Sequence, residues 1–146
     1  MTGATDDDPT CTFCRIVRDE PDSTRWIDRD EDAVAFLPLP DSRLAPGHTL
    51  VVPREHSLGL LDASPRALHA TVDLAQRVGR AMKGGLGATG TVLLQATGVD
   101  AGQSVPHFHL HVVPCWADDG ITFWPAGSSG HVVDGDPGAL LAEMFE

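Results

Sequence analysis

Gln103-Ser-Val-Pro-His107-Phe-His109-Leu-His111-Val-Val-Pro114 is the stretch on which the fold turns. Three histidines alternate there with bulky apolar residues, and alternation is the period of a β-strand. His107, His109 and His111 therefore share one face, while Phe108, Leu110 and Val112 share the other. On a regular strand adjacent imidazoles would stand roughly 6.6 Å apart. A single strand histidine reads as a hydrogen-bonded core residue. Three in register present groups that can act as bases, nucleophiles or metal ligands near neutral pH.

Working outward, the loop 97–103 with its Gly and Asp residues leads into this strand, and another strand is expected over 90–96. Before it lies one strong helix, 64–83. Ser64 is a good N-cap, Pro65 suits the first helical position, and Gly84 and Gly85 are the stop signal. Leu68, Val72, Ala75, Val78 and Met82 form its apolar stripe, with His69 an ordinary, partly buried neighbour. Residues 47–53 read as a buried strand by their Leu and Val content, entered from a Pro-rich connector, 38–46. Further strands are expected at 24–28 and 33–37, across the charged turn 29–32. Phe13, Ile16 and Val17 give a short helical pattern. After the triple-His strand, 116–130 reads as loop and 137–145 as a short helix with Leu140, Leu141 and Met144 facing inward. Strands outnumber helices without βαβ alternation, so the fold class is α+β around a mostly antiparallel sheet.

The chain is long enough for one domain with a real core. Residues 1–10 read as a polar, disordered lead-in and 11–146 as a single domain, with its core in 11–114 and a tail in 115–146. A net charge of −11 argues against non-specific binding to nucleic acid or anionic membrane. A small phosphate ligand stays compatible with it, because a few oriented N–H groups overcome the mean field locally. No apolar run reaches the length of a membrane span, and the N-terminus lacks the pattern of a signal peptide. Three cysteines do not make a secreted disulfide framework, so a cytoplasmic protein with reduced thiols is expected.

Two constellations carry chemistry. Cys11-x-x-Cys14 needs two further ligands for structural zinc; His48, His56 and the three strand histidines are the available donors, and spacing does not choose among them. The second constellation is a phosphate-handling face. An imidazole can attack phosphorus while its neighbours two residues away hydrogen-bond the oxygens or move a proton. Gly102, Gln103 and Ser104 add donors at the strand's entrance. The same spacing also allows a three-His metal centre.

His107-Phe-His-Leu-His-Val-Val113 resembles the His-φ-His-φ-His-φ-φ motif (φ apolar) of the histidine-triad (HIT) family of nucleotide hydrolases and transferases. Cys-x-x-Cys, Ala-Pro-Gly-His48-Thr-Leu-Val-Val-Pro-x-x-His56, a helix, and Ala-Gly-Gln-Ser-Val occur in that family's order over about residues 11–114. The resemblance implies a HIT-like fold with about five antiparallel strands, one long helix and a short N-terminal helix. It implies that His109 attacks the α-phosphorus and carries the nucleotidyl group, and that His111 bonds the phosphate or assists the leaving group. It further implies that His107 and His48 orient the nucleophile, and that Gln103 and Ser104 contact substrate. In zinc-containing members the structural ligands match Cys11, Cys14, His56 and His107. A homodimer is implied too.

Three positions depart from the pattern. The ribose-binding segment, usually like Phe-Leu-Asp, reads Phe36-Leu-Pro-Leu-Pro40 here, which leaves Asp41 as the nearest carboxylate. Gln95-Ala96 stands where a second Asn is common, so Gln95 is the other candidate for substrate contact. Pro106 removes a ladder donor just before His107. The leading expectation is a nucleotidyl hydrolase that cleaves a nucleoside 5′-monophosphate from an amine, an acyl group or another phosphate. Competing readings are a nucleotidyl transferase or phosphorylase with the same intermediate, a non-catalytic nucleotide-binding module, and a catalytic three-His metal centre.

Overall fold

Alternating side-chain direction along the strands sorts the apolar side chains onto the two faces of one sheet. The computed structural model describes residues 8–19 and 24–146, so the first seven residues of the expected lead-in lie outside the described residues. In chain order the elements are α1 (Thr12–Val17), β1 (Trp26–Arg29), β2 (Ala33–Phe36), β3 (Thr49–Pro53), α2 (Pro65–Leu86), β4 (Gly90–Leu94), β5 (Leu110–Cys115) and α3 (Pro137–Glu143). The sheet has the order β1-β2-β3-β5-β4, and every neighbouring pair is antiparallel. This is the α+β architecture expected from the sequence.

Ala33, Ala35, Val51, Phe108, Leu110 and Val112 pack on one face against Leu74, Ala75, Val78 and Met82 of α2. Val34, Phe36, Leu50 and Val52 point to the opposite face, where Cys11, Phe13 and Cys14 around α1 cover them. β2 and β3 are buried along their whole length because both faces are covered. Turn chemistry supports the β1–β2 hairpin: Asp30 Oδ1 accepts from the N–H groups of Asp32 and Ala33, both at 2.8 Å. Arg77 of α2 reaches Asp30 at 2.7 Å and Asp28 at 3.5 Å, tying the hairpin to the helix.

Three sequence expectations need correction. The α2 helix does not stop at Gly84–Gly85 but runs on to Leu86, and Gly87, at φ 66°, supplies the left-handed cap. Packing carries it past the two glycines. Leu86 lies against Gly47, where a Cβ would stand 2.5 Å from Leu86 Cδ1, and the Leu86 carbonyl accepts from Trp116 Nε1–H at 3.2 Å. The inward stripe is Ala67, Thr71, Leu74, Ala75, Val78 and Met82; Val72 is exposed, and so is His69. The helix is rotated toward small residues that let it lie close on the sheet. Finally, α3 forms, but Leu140, Leu141 and Met144 are exposed, because among the described residues no apolar surface meets them.

The triple-His segment is only partly ladder. β5 begins at Leu110, after His107 and His109. Pro106 has no N–H, the His107 N–H goes to the Val105 carbonyl at 2.8 Å, and the Phe108 N–H goes to the Ser57 carbonyl at 2.9 Å. The alternation of faces survives this irregular backbone, and the His109 and His111 ring centroids stand 5.1 Å apart.

Candidate functional site

The face opposite α2 holds two adjoining histidine clusters. In the first, Cys11 is the N-cap of α1 and Cys14 lies in its first turn, so one helical turn aims both sulfurs at β3 and the His107 segment. His56 follows β3 directly. The Cys14 Sγ to His56 Nδ1 distance is 3.3 Å, both sulfurs lie 3.5 Å from His107 Nδ1, and the two Nδ1 atoms are 3.1 Å apart. All four residues are buried, and all four donor atoms lie within 4.8 Å of one another.

These separations approach the edges of a zinc tetrahedron. Bonds of about 2.05 Å to nitrogen and 2.3 Å to sulfur give N–N and N–S edges of roughly 3.4 and 3.6 Å. The tautomer also fits. His107 Nε2–H donates to the Pro53 carbonyl at 2.8 Å, which leaves its Nδ1 lone pair for the cluster. Asp8 Oδ2 stands 3.8 Å from His56 Nε2, on the outer side of that ring. Burial above all, with the neighbouring His56 and His109, pushes the His107 pKa down to about 4, so the imidazole is a neutral donor at pH 7.

The second cluster is His48, His109 and His111. His109 Nδ1–H donates to the His107 backbone carbonyl at 2.7 Å, so the proton of the neutral ring sits on Nδ1 and Nε2 carries a lone pair. His111 receives the opposite tautomer. The Leu44 N–H donates to His48 Nδ1 at 3.0 Å, which places the His48 proton on Nε2. That proton faces His111 Nδ1 at 3.0 Å, so the His111 proton sits on Nε2. One strand segment thus offers a bare Nε2 and an Nε2–H side by side, a lone pair and a hydrogen-bond donor.

Burial lowers the pKa of His109. It also lowers that of His48, with the Arg43 guanidinium adding to the effect, and holds His111 at about 4, where His109 and His48 contribute as well. In each case the folded value lies below the ordinary 6.5, so the unfolded chain binds protons first as pH falls. Their contribution to stability is complete above about pH 6.5 and is lost as pH falls toward 4. A urea midpoint that is flat from pH 8 to 7 and then falls steadily toward pH 4 is expected, with a shallower fall in His111→Asn. A midpoint unchanged down to about pH 5 would contradict this coupling.

The other expected site residues are placed differently from one another. Gln103 is committed within its own loops: Nε2 donates to the Leu58 and Val105 carbonyls at 2.6 and 2.9 Å, and Oε1 accepts from Gly98 N–H at 2.8 Å. Gln95 bonds Thr97, whose hydroxyl also receives the Leu60 N–H. Ser104 is exposed, and Asp41 is exposed in the 3-10 turn Pro40–Ser42. His48 meets His111 at 3.0 Å, and His107 reaches His109 through its backbone carbonyl. Sequence reasoning did not single out Phe13, the Leu44 amide or Arg43. Only Phe13 carried a signal, its place between the two cysteines.

The HIT domain family model matches residues 20–116. An uncharacterised HIT-like protein of Mycobacterium tuberculosis is 39% identical over 105 residues, covering 71% of this chain and 70% of that protein. The adenosine 5′-monophosphoramidase of Saccharomyces cerevisiae is 32% identical over 121 residues, covering 82% of this chain and 72% of that protein. The crystal structure of a zinc-bound histidine triad family protein from Mycobacterium smegmatis superposes with a TM-score of 0.73 at 35% identity. It covers 78% of this chain and 81% of that one. The chain belongs to the histidine-triad family. Within it, the Cys-x-x-Cys start and the Cys/His cluster fit the zinc-containing branch.

Proposed function

We propose that this protein is a nucleotidyl hydrolase that releases a nucleoside 5′-monophosphate from an amine, acyl or phosphate leaving group. The observation that carries this reading is the pair of opposed tautomers on His109 and His111. His109 Nε2 attacks the α-phosphorus, forming an N–P bond as the bond to the leaving group breaks. An acyl or phosphate group departs with the bonding pair as an anion; an amine also takes a proton from solvent. His111 Nε2–H donates to a non-bridging oxygen, where charge builds up in the transition state. Water then attacks phosphorus, the N–P bond breaks, His109 recovers its lone pair, and the water proton passes to solvent.

Zinc held by Cys11, Cys14, His56 and His107 would play a structural part, fastening α1 to the sheet. Its Cys2His2 donor set leaves no open position for substrate. Substrate contacts fall to Ser104 and Asp41, which are exposed, and to Gln103 and Gln95 once their loop bonds exchange. The exposed apolar stripe of α3 and the free edge of β4 support a homodimer, with an expected sedimentation mass of twice 15.5 kDa.

The test is turnover of adenosine 5′-phosphoramidate and of a diadenosine polyphosphate by purified protein. Release of AMP from either supports the reading. Tight nucleotide binding with no turnover of either would replace it with the binding module. Transfer to an added phosphate acceptor in preference to water would make it a transferase.

A further inference from the structure

Phe13 occupies the position between the two cysteines and is itself buried. Its ring meets the His109 ring edge to face, with centroids 5.0 Å apart and planes at 89°. It also meets His107 at 6.0 Å and 67°, and Phe36 at 5.7 Å and 78°. Perpendicular aromatic contacts are directional, because the electron-poor edge of one ring prefers the electron-rich face of the other. Rotation of the His109 imidazole about its side-chain bonds would break that alignment. Cys11 and Cys14, on either side of Phe13, both place their sulfurs in the Cys/His cluster, which ties the Phe13 backbone to it.

His109 packs against the His111 ring at 5.1 Å and 66°, and it has two further constraints that both originate in that cluster. One is the carbonyl of His107, whose side chain is a cluster member, accepting from Nδ1–H at 2.7 Å. The other is the Phe13 ring. The carbonyl fixes which nitrogen carries the proton; it leaves the tilt of the ring about that hydrogen bond undetermined. The perpendicular Phe13 ring, together with the His111 ring at 5.1 Å, sets the tilt.

We propose that Phe13 is a positioning residue for His109, so that the Cys/His cluster sets the direction of the Nε2 lone pair as well as anchoring α1. This rests on the proposed hydrolase reading for its kinetic test, but not for its spectroscopic one. Phe13→Leu keeps an apolar side chain of similar size and removes the directional edge. It is expected to retain zinc and a cooperative melt at a modestly lower temperature, and to lower kcat on the order of 10- to 100-fold with KM nearly unchanged, the cost of a misdirected attacking atom.

Long-range proton–nitrogen NMR reads the His109 ring directly. The wild type is expected to show a sharp Nδ1–H form, and the variant the same tautomer, held by the His107 carbonyl, with its ring signals broadened by exchange between tilts. Phe13→Met serves as the second variant should the leucine protein fail to fold. Unchanged kcat with an unchanged His109 spectrum would overturn the proposal. So would a loss confined to KM, which would make Phe13 a wall for the substrate. Loss of zinc in both variants would also overturn it, since Phe13 would then support the cluster and not the nucleophile. If the wild type turns over neither nucleotide, the hydrolase reading falls while the NMR comparison still decides the role of Phe13.

Discussion

His109→Ala abolishes turnover: a loss of kcat of at least roughly 10³-fold is expected, with affinity for the nucleotide largely kept, because a covalent route loses its attacking atom while the binding surface remains. The His109 side chain points away from the α2 core, and its ring hydrogen-bonds the adjacent backbone and packs on Phe13 and His111 without entering that core, so the variant should fold. Rapid acid quench and mass spectrometry should detect a nucleotidyl adduct on the wild type and none on the variant. Comparable activity in His109→Ala would remove the nucleophile assignment. An adduct mapped to His111 instead would reverse the roles argued from the two tautomers.

The second large effect is on the Cys/His cluster. Cys14 is fully buried and faces His56 and His107, so Cys14→Ser replaces a soft anionic ligand with a poor one at the centre of four converging donors. Freshly purified wild-type protein should carry about one equivalent of zinc, and less than about a tenth of an equivalent would count against the site. In Cys14→Ser the metal content should collapse. The melting temperature should fall by roughly 10 °C or more, since binding energy at a structural metal is folding energy. A strong chelator should reproduce that fall in the wild type and leave the variant unmoved. A variant that melts with the wild type would mean that the two cysteines are merely packed.

Much of this architecture could be read from local pattern. The alternation in residues 107–112 assigned each side chain to its face even though regular pairing starts only at Leu110. Face is a property of successive residues, whereas pairing depends on where distant N–H groups find acceptors, here Ser57. Ser64 and Pro65 marked the start of α2 well, because capping is local. Its end was misread because Leu86 packs on Gly47, thirty-nine positions earlier in the chain, a contact that no local signal at Gly84–Gly85 contains.

The candidate site divides the same way. Cys11, Cys14, His56 and His107 were legible through family resemblance, and the structure brings the four together. The different roles expected of His109 and His111 came from the family resemblance alone; the opposed tautomers that distinguish the two rings were not legible. They depend on a backbone amide, that of Leu44, and on a backbone carbonyl, that of His107, and main-chain groups leave no mark in a sequence. The expected inward face of α3 failed for a related reason: an apolar stripe announces that something covers it without saying what.

The interleaving of Phe108, Leu110 and Val112 with the three histidines has a consequence for how this protein can change over generations. A single-residue insertion or deletion between His107 and Val112 would put every residue on one side of it onto the wrong face, sending an imidazole under α2 and an apolar group into the site. That stretch can vary only by substitution. The connector from Pro38 to Ala45 is under no such rule: it can lengthen or shorten freely so long as the final turn returns the Leu44 amide to His48. Novelty in what this protein acts upon should therefore accumulate as changes of length on one side of the site, and as single-letter changes on the other.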